Sequence, residues 1–523
     1  MDENLSGAPV HFDVIVVGAG ISGIAAAHYL TTKCPDHSFT VLEAHASFGG
    51  TWLLHQYPGA RSDSDLYTYG WAFKPWTRKP IATREEILGY MEEVIRDDQL
   101  ESRIRYGHSI RSASWSSSTN RWTLEVVRAA DGKTVRFTTN YLWMCHGYYR
   151  HAQGYTPQWR GMEDYRGRIV HPQSWPDDLD CTGKRVVVIG SGATAVTLLP
   201  ALAGKCAKVT MLQRSPTYVT VGRNAVPLAD ELRRLKVSEV WIHEIIRRKL
   251  LLDRQSIVDR ALKNPAEVRR ELLEVVSANL GERQDVLAHF TPQYDPWTQR
   301  IAFDPEGDLF KSIREGHADV VTDRIARFVA NGVELASGTT LEADIVITAT
   351  GFNLSVMGEI EFSVDGAPVD FTQTIAYRGT LLTGVPNLAW TFGYYRASWT
   401  LRVDMVAEFV CNLLNHMRRT GACRVTAALR EEDEQMALRP WIDPEDFNPG
   451  YVQRGVHLLP RQGDKPEWQI ASDFLKERGE FAGIDLEDRI FHYEYSASPQ
   501  PTSRKVPMSM GREPGSELLH DLP

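Results

Sequence analysis

Two glycine-rich loops define the chemistry open to this chain. The first lies in FDVIVVGAGISGIAAAHYL, where the apolar run Val14–Val17 predicts a buried strand and Gly18, Gly20 and Gly23 follow as GxGxxG before an alanine-rich helix. The first glycine of such a loop permits a tight turn, the second lets backbone amides approach a pyrophosphate, and the third allows close helix–strand packing. The helix N-terminus then faces the phosphates. Glu43 ends the strand-like FTVLE 20 residues after Gly23, where a carboxylate accepts hydrogen bonds from a ribose hydroxyl. The second loop lies in KRVVVIGSGATAVTLLPAL, with Gly190, Gly192 and, at the third position, Ala195. The strand after it, KVTMLQ, ends in Gln213 and Arg214 instead of an acid. A carboxylate would repel a 2′-phosphate, whereas Arg214 can pair with one; Ser215 and Thr217 can add neutral hydrogen bonds. The first site therefore suits FAD or NAD and the second suits NADP.

A flavin and a nicotinamide on one chain imply hydride transfer between them. The electrons could then go to a disulfide, a protein partner or oxygen. Disulfide reduction needs two cysteines close together beside the flavin. The six cysteines (34, 145, 181, 206, 411 and 423) form no CxxC and show no metal-ligand spacing with histidine. No metal site is expected. Cys411 and Cys423, 12 apart, read as thiols flanking a helix.

Between the two loops stands YRGRIVHPQSWPDD, with Tyr165, Gly167, His171, Trp175 and Pro176 at fixed intervals. This resembles the fingerprint of type I Baeyer–Villiger monooxygenases, class B flavoprotein monooxygenases, in which the first residue is usually Phe. A second pattern of that family, GGTWLLHQYPGARSD, places Gly50, Trp52, Tyr57, Pro58, Gly59 and Asp63 at its spacing. The likeness runs over roughly residues 10–460. Segments such as YPGARSDSDLYTYG, MLQRSPTY and FNPGYV are most similar to the ethionamide-activating mycobacterial subgroup.

The resemblance implies FAD, NADPH and O2 as reactants. It also implies oxygen insertion beside a ketone carbonyl through a C4a-peroxyflavin, giving an ester or lactone, with sulfide oxidation as a second outlet. Arg300, in YDPWTQRIAF, aligns with the catalytic arginine and Asp63 with its acidic partner. Gly50, Thr51 and Trp52 join the cofactor-binding set. His171 aligns with a residue that couples domain movement, with Gly167, Trp175 and Pro176 around it. Where many members carry lysine before the arginine, Gln299 stands here, leaving Arg214 to bear most of the 2′-phosphate contact. Trp52, Tyr57, Tyr395 and Trp399 are candidate cavity aromatics, and Asp344 and Asp404 weaker candidates. Two other readings stay open: an N- or S-oxygenating flavin monooxygenase acting on heteroatoms, and a flavin redox sensor or NADPH oxidase. Related heteroatom oxygenases usually lack the Trp-Pro ending.

The elements that must position these residues follow from length and pattern. At 523 residues the chain exceeds a single core. The fold class expected is α/β, with two Rossmann-like dinucleotide-binding domains, for FAD and NADP, and a helical insertion in the NADP domain. FAD-binding residues span 1–150 and 353–495, NADP-binding residues 151–221 and 298–352, and the insertion 222–297; 496–523 is a Pro- and Ser-rich tail expected to be mobile. Within the insertion, DELRRLKVSEVWIHEIIRRKLLLD and PAEVRRELLEVVSANL repeat apolar residues at helical spacing. EADIVITATGF (342–352) reads as the strand returning from the NADP to the FAD domain, and the segment after Gly384 as strand, turn and helix.

A net charge of −9 argues against nucleic acid as a partner. The uncharged run Val14–Thr32 carries three glycines and reads as strand, turn and helix rather than a membrane span. The short polar N-terminus and scattered cysteines point to the cytoplasm.

Overall fold

The computed structural model describes residues 9–470 and 473–495. The expected tail, 496–523, lies outside them. Two sheets dominate. The larger, nine-stranded sheet has at its centre Val10–Val17, flanked in parallel by Phe39–Leu42 and Thr134–Met144. Every residue of Val14–Val17 and of Phe39–Leu42 is buried, so both strands are covered on both faces, and neither alternates between core and solvent. Beyond Thr134–Met144 the sheet turns antiparallel through Arg121–Arg128 and His108–Ser116. The late segments Glu361–Val364 and Leu388–Trp390 join the same sheet in parallel, to His108–Ser116 and Thr134–Met144 respectively. Residues on both sides of the second loop thus share one sheet.

The second sheet is five-stranded and wholly parallel, in the order Ala318–Thr322, Lys208–Gln213, Arg185–Ile189, Ile345–Thr348, Arg168–Val170. Parallel pairing requires crossovers, and the helix Ala193–Leu202 supplies one of them. The fingerprint stretch contributes its edge strand, Arg168–Val170. That strand pairs with Ile345–Thr348, so departure and return of the chain run side by side.

Between the paired strands Val219–Gly222 and Ala302–Pro305 stand the helices Pro227–Arg234, Glu239–Lys263 and Pro265–Leu280. The first apolar-periodic stretch of this segment is not one helix. It breaks at Leu235–Ser238, where Lys236 takes φ 60, a left-handed conformation that ends the first helix. The long helix Thr400–Thr420 packs against Ile21–Lys33; Cys411 lies within it and Cys423 on the following strand, Ala422–Ala427, so the two do not flank it.

Candidate active site between two nucleotide folds

The first glycine loop is held by contacts that leave no room for a side chain at Gly18 or Gly23. Gly18 has φ +100, and a Cβ there would sit 2.9 Å from the Cys145 carbonyl oxygen. A Cβ on Gly23 would lie 1.8 Å from the Gly18 oxygen, so the helix Ile21–Lys33 rests directly on the turn. Gly20 faces Gly50, whose own Cβ would meet the Gly20 Cα at 3.1 Å. Thr51 and Trp52 then open a short helix, and the Trp52 indole donates to the Tyr69 hydroxyl at 2.9 Å.

Glu43 is buried. One of its oxygens accepts the Ala19 amide (2.7 Å) and the other the His45 amide (2.8 Å). Each oxygen keeps a second lone pair for a ligand hydroxyl.

In the second loop Gly190 has φ +139, and a Cβ would meet the Ala349 oxygen at 2.3 Å. Gly192 faces open space, while Ala195 is fully buried, its methyl filling the third position. Arg214 and Ser215 lie exposed just past the carboxyl end of Lys208–Gln213. Gln213 turns the other way, its amide donating to the His289 carbonyl (2.5 Å) and to Thr322 (2.8 Å). Arg214 is therefore the residue left at the strand end.

A single cavity of about 710 Å³ joins the two loops. Gly18, Gly20, Glu43, Gly50, Thr51, Trp52 and Asp63 line one part, and Gly192, Thr194 and Thr197 another. Arg300 and Asp63 meet in it, Nη1 to Oδ2 at 3.1 Å, across 237 positions of sequence. Each side chain keeps more than a third of its surface open (39% and 37%), and that surface faces the cavity. Burial opposes charge on Arg300, yet Asp63 together with Tyr451, Tyr148 and Tyr149 outweighs it and holds the guanidinium well above the usual arginine range. Asp63 is carried there by the loop at Gly59 (φ +77), which packs onto Thr197 and Ala201 of the opposite fold's helix.

The remaining expected residues divide. Tyr57 and Trp399 line the cavity, Trp399 stacking on Tyr148 at 4.9 Å. Tyr395 packs on Phe447 instead (4.9 Å). Asp344 pairs with Arg185 at 2.8 Å, and Asp404 with Arg247 at 3.6 Å, both away from the cavity. Gly23, Gly190, Ala195, Arg214 and Ser215 stand behind or beside it.

His171 joins linker to return strand: Nε2 donates to the Gly351 carbonyl (3.1 Å) while Nδ1 accepts the Gln173 amide (3.1 Å). Those roles require the neutral ring, and burial lowers its pKa. Gly154 packs so closely that a Cβ would overlap the imidazole. Gly167 is pressed between the Tyr165 ring and the Asp344 carbonyl, and Trp175 lies half-buried against the second sheet's core. Pro176 opens the turn that leads to Leu179.

Sequence reasoning missed several groups. Tyr148, Tyr149 and Tyr451 crowd the cavity, and the first two share a 2.6 Å hydroxyl contact. His55, His146 and His151 also line it; burial pushes the first and last down to about 4 and His146 to about 3, so all are neutral at physiological pH. Both His146 ring nitrogens are buried without a partner among the described residues, as expected of groups waiting for a ligand. Arg454 lies over the Tyr155 ring at 3.5 Å and donates to the Phe352 carbonyl. None of these carries a local motif; only a count of tyrosines near HGYY and NPGY could have hinted at them.

Comparison with known proteins agrees with this geometry. Residues 16–76 match the NAD(P)-binding Rossmann-like domain family and residues 80–228 the flavin-binding monooxygenase-like family. The FAD-containing monooxygenase EthA of Mycobacterium tuberculosis is 45% identical over 469 residues, covering 89% of this chain and 94% of that protein. An oxidized steroid monooxygenase bound to NADP has the same fold at TM-score 0.73 and 21% identity, covering 93% of this chain and all of that one. Cyclohexanone monooxygenase from Rhodococcus sp. Phi1 bound to NADP+ follows at TM-score 0.70 and 21% identity, over 94% and 100%. With 45% identity to EthA across 89% of its length, and two nucleotide loops opening into one cavity, this chain belongs to the FAD-containing, flavin-binding monooxygenases.

Proposed function

We propose that this FAD-containing monooxygenase inserts one oxygen atom from O2 beside a ketone carbonyl, yielding an ester or lactone, NADP+ and water, and that it also oxidises sulfides. The observation that carries the reading is the Arg300–Asp63 pair inside a cavity reached by both nucleotide loops. FAD, when bound, supplies the oxygen-activating redox chemistry, with NADPH as its hydride source. The residues present fit that cofactor: Gly18 and Gly23 with no space for a side chain, a buried Glu43 with free lone pairs, and a His146 without a partner among the described residues. In this reading residues 1–150 with 353–495 hold FAD, 151–221 with 298–352 hold NADPH, and 222–297 are the insertion. All six cysteines are free, which suits a reducing cytoplasm.

Arg300 then stabilises the negative charge that develops as oxygen reaches the carbonyl. A guanidinium suits this because it stays charged when desolvated. Asp63 fixes its direction without blocking it, since the 3.1 Å bond uses Nη1 and leaves other donors open. Tyr148, Tyr149 and Trp399 keep water from the site.

Turnover under ¹⁸O2 tests the reading. One labelled oxygen in the ester is the expected result. NADPH consumption that yields only hydrogen peroxide would refute it.

Two variants probe the supporting residues. Arg214→Gln removes a charge-assisted phosphate contact, so the KM for NADPH rises about 10- to 100-fold while that for NADH barely changes. Steady-state kinetics with both coenzymes checks this. His171→Ala removes the imidazole's bonds to Gly351 and to the Gln173 amide, slowing flavin reduction by NADPH on the order of 10-fold without lowering FAD content. Rapid-mixing absorbance gives that rate.

A further inference from the structure

The helix Glu239–Lys263 is apolar on two opposite faces. Its inner face is buried. Ile242, His243, Ile246 and Arg247 are buried; the Trp76 amide donates to His243 Nδ1 at 3.0 Å, and Arg247 donates to the Tyr67 and Gly70 carbonyls at 2.8 Å each. The outer face is bare. Trp241 is 58% exposed, Ile245 38% and Leu252 59%. At ~100° per residue these three fall within about 40° of one another on the helix circumference, opposite the buried set. Seven of the eleven large hydrophobic residues left exposed among the described residues lie between Leu235 and Leu262, so the exposure is concentrated here rather than scattered.

Charge names the partner. Leaving aside the buried Arg247, residues 227–263 hold eight Lys and Arg against six Asp and Glu, in a chain whose net charge is −9. Arg248 and Lys249 pair only with Glu244 and Asp253, one turn away on the same helix, leaving both cations on the rim of the stripe. Lys263 continues the stripe and Lys236 flanks it, neither with an ion pair among the described residues. The carboxylate on this line, Asp259, is held by the Gln255 amide at 2.9 Å.

We propose that this helix docks the enzyme on the surface of a lipid bilayer bearing anionic headgroups, with Trp241, Ile245 and Leu252 entering the headgroup–acyl boundary. A tryptophan-anchored apolar face rimmed by cations is the pattern of helices that lie in that plane. No described helix is long and apolar enough to cross a membrane. A second copy of the chain fits less well, because the stripe offers on the order of 300 Å², against about 800 Å² per partner in a stable dimer. The inner face of the same helix grips the carbonyls on either side of Tyr69, which lines the cavity. Docking would set that wall against the phase in which apolar ketones concentrate. This delivery role rests on the proposed ketone chemistry; the membrane binding does not.

Co-sedimentation of the FAD-loaded full chain tests binding without turnover. Vesicles of phosphatidylcholine with about 30% phosphatidylglycerol should retain at least about tenfold more protein than phosphatidylcholine alone, and salt should weaken the difference. Trp241→Ser/Leu252→Ser removes two exposed anchors, so bound protein should fall about tenfold or more while FAD absorbance and thermal midpoint stay unchanged. Three results would overturn the proposal: no sedimentation with anionic vesicles, sedimentation that the double variant does not alter, or a dimer in size-exclusion chromatography that this variant converts to monomer. Loss of ketone oxidation with intact vesicle binding would count against the proposed function alone.

Discussion

Arg300→Met is expected to leave a folded, yellow protein whose ester formation falls by about 100- to 1000-fold. Methionine nearly matches the length of the arginine stem, so packing around Tyr148 and Tyr149 changes little, and only the charge is lost. The cation cannot be replaced from nearby. Arg61, which also lines that cavity, is committed to Asp308 at 3.2 Å, and His55, His146 and His151 are held neutral. NADPH consumption should persist with hydrogen peroxide as its product, because hydride transfer and oxygen reduction do not need a cation at the carbonyl. Measuring ester, peroxide and NADPH together separates lost chemistry from a lost cofactor. Ester formation within threefold of the wild type would remove Arg300 from the mechanism. Asp63→Asn should fall less, since the guanidinium stays charged and loses only its fixed direction.

Gly23→Ala should give protein that binds little FAD, with cofactor content down at least about tenfold. The added methyl would stand 1.8 Å from the Gly18 carbonyl oxygen, backbone that cannot swing aside as a side chain can. The helix Ile21–Lys33 must then retreat from the turn, and the turn is what directs amides at the pyrophosphate. Overpacking of this kind costs about 1–3 kcal/mol even where side chains can adjust. Gly192→Ala is the matched control: its Cβ meets nothing within 4 Å, so flavin content and thermal midpoint should hold. The ratio of flavin to protein absorbance in the purified variants checks both. Equal FAD content in Gly23→Ala and wild type would mean the first loop is not the flavin site.

Much of the frame is local and therefore legible in the sequence. A buried parallel strand announces itself as an unbroken apolar run, as in Val14–Val17 and Val186–Ile189, and glycine spacing marks the turn that follows. Glu43 and Arg214 could be placed because each stands at the end of a recognisable strand, a fixed distance from its loop. Even so, local reading could not see that Glu43 already serves the Ala19 amide, or that Gln213 turns from the nucleotide side to His289. Helical periodicity marked the helices after Gly222 but missed the break at Lys236, because a single left-handed residue leaves no mark on an apolar pattern.

The site itself is a tertiary product. Arg300 and Asp63 could be paired beforehand only through resemblance to a family, since nothing in either neighbourhood points to the other. Their meeting depends on Gly59 docking onto Ala201 of the opposite fold and on the insertion returning the chain at Ala302. His146 and Tyr148 come from one segment and Tyr451 from another far along the chain, and they line one cavity only through tertiary packing. The sequence by itself determined which strands and phosphate loops form, because those follow from backbone sterics and burial over a few residues. Which side chains face each other across the cavity was decided by packing between distant segments, where no short-range period carries the information.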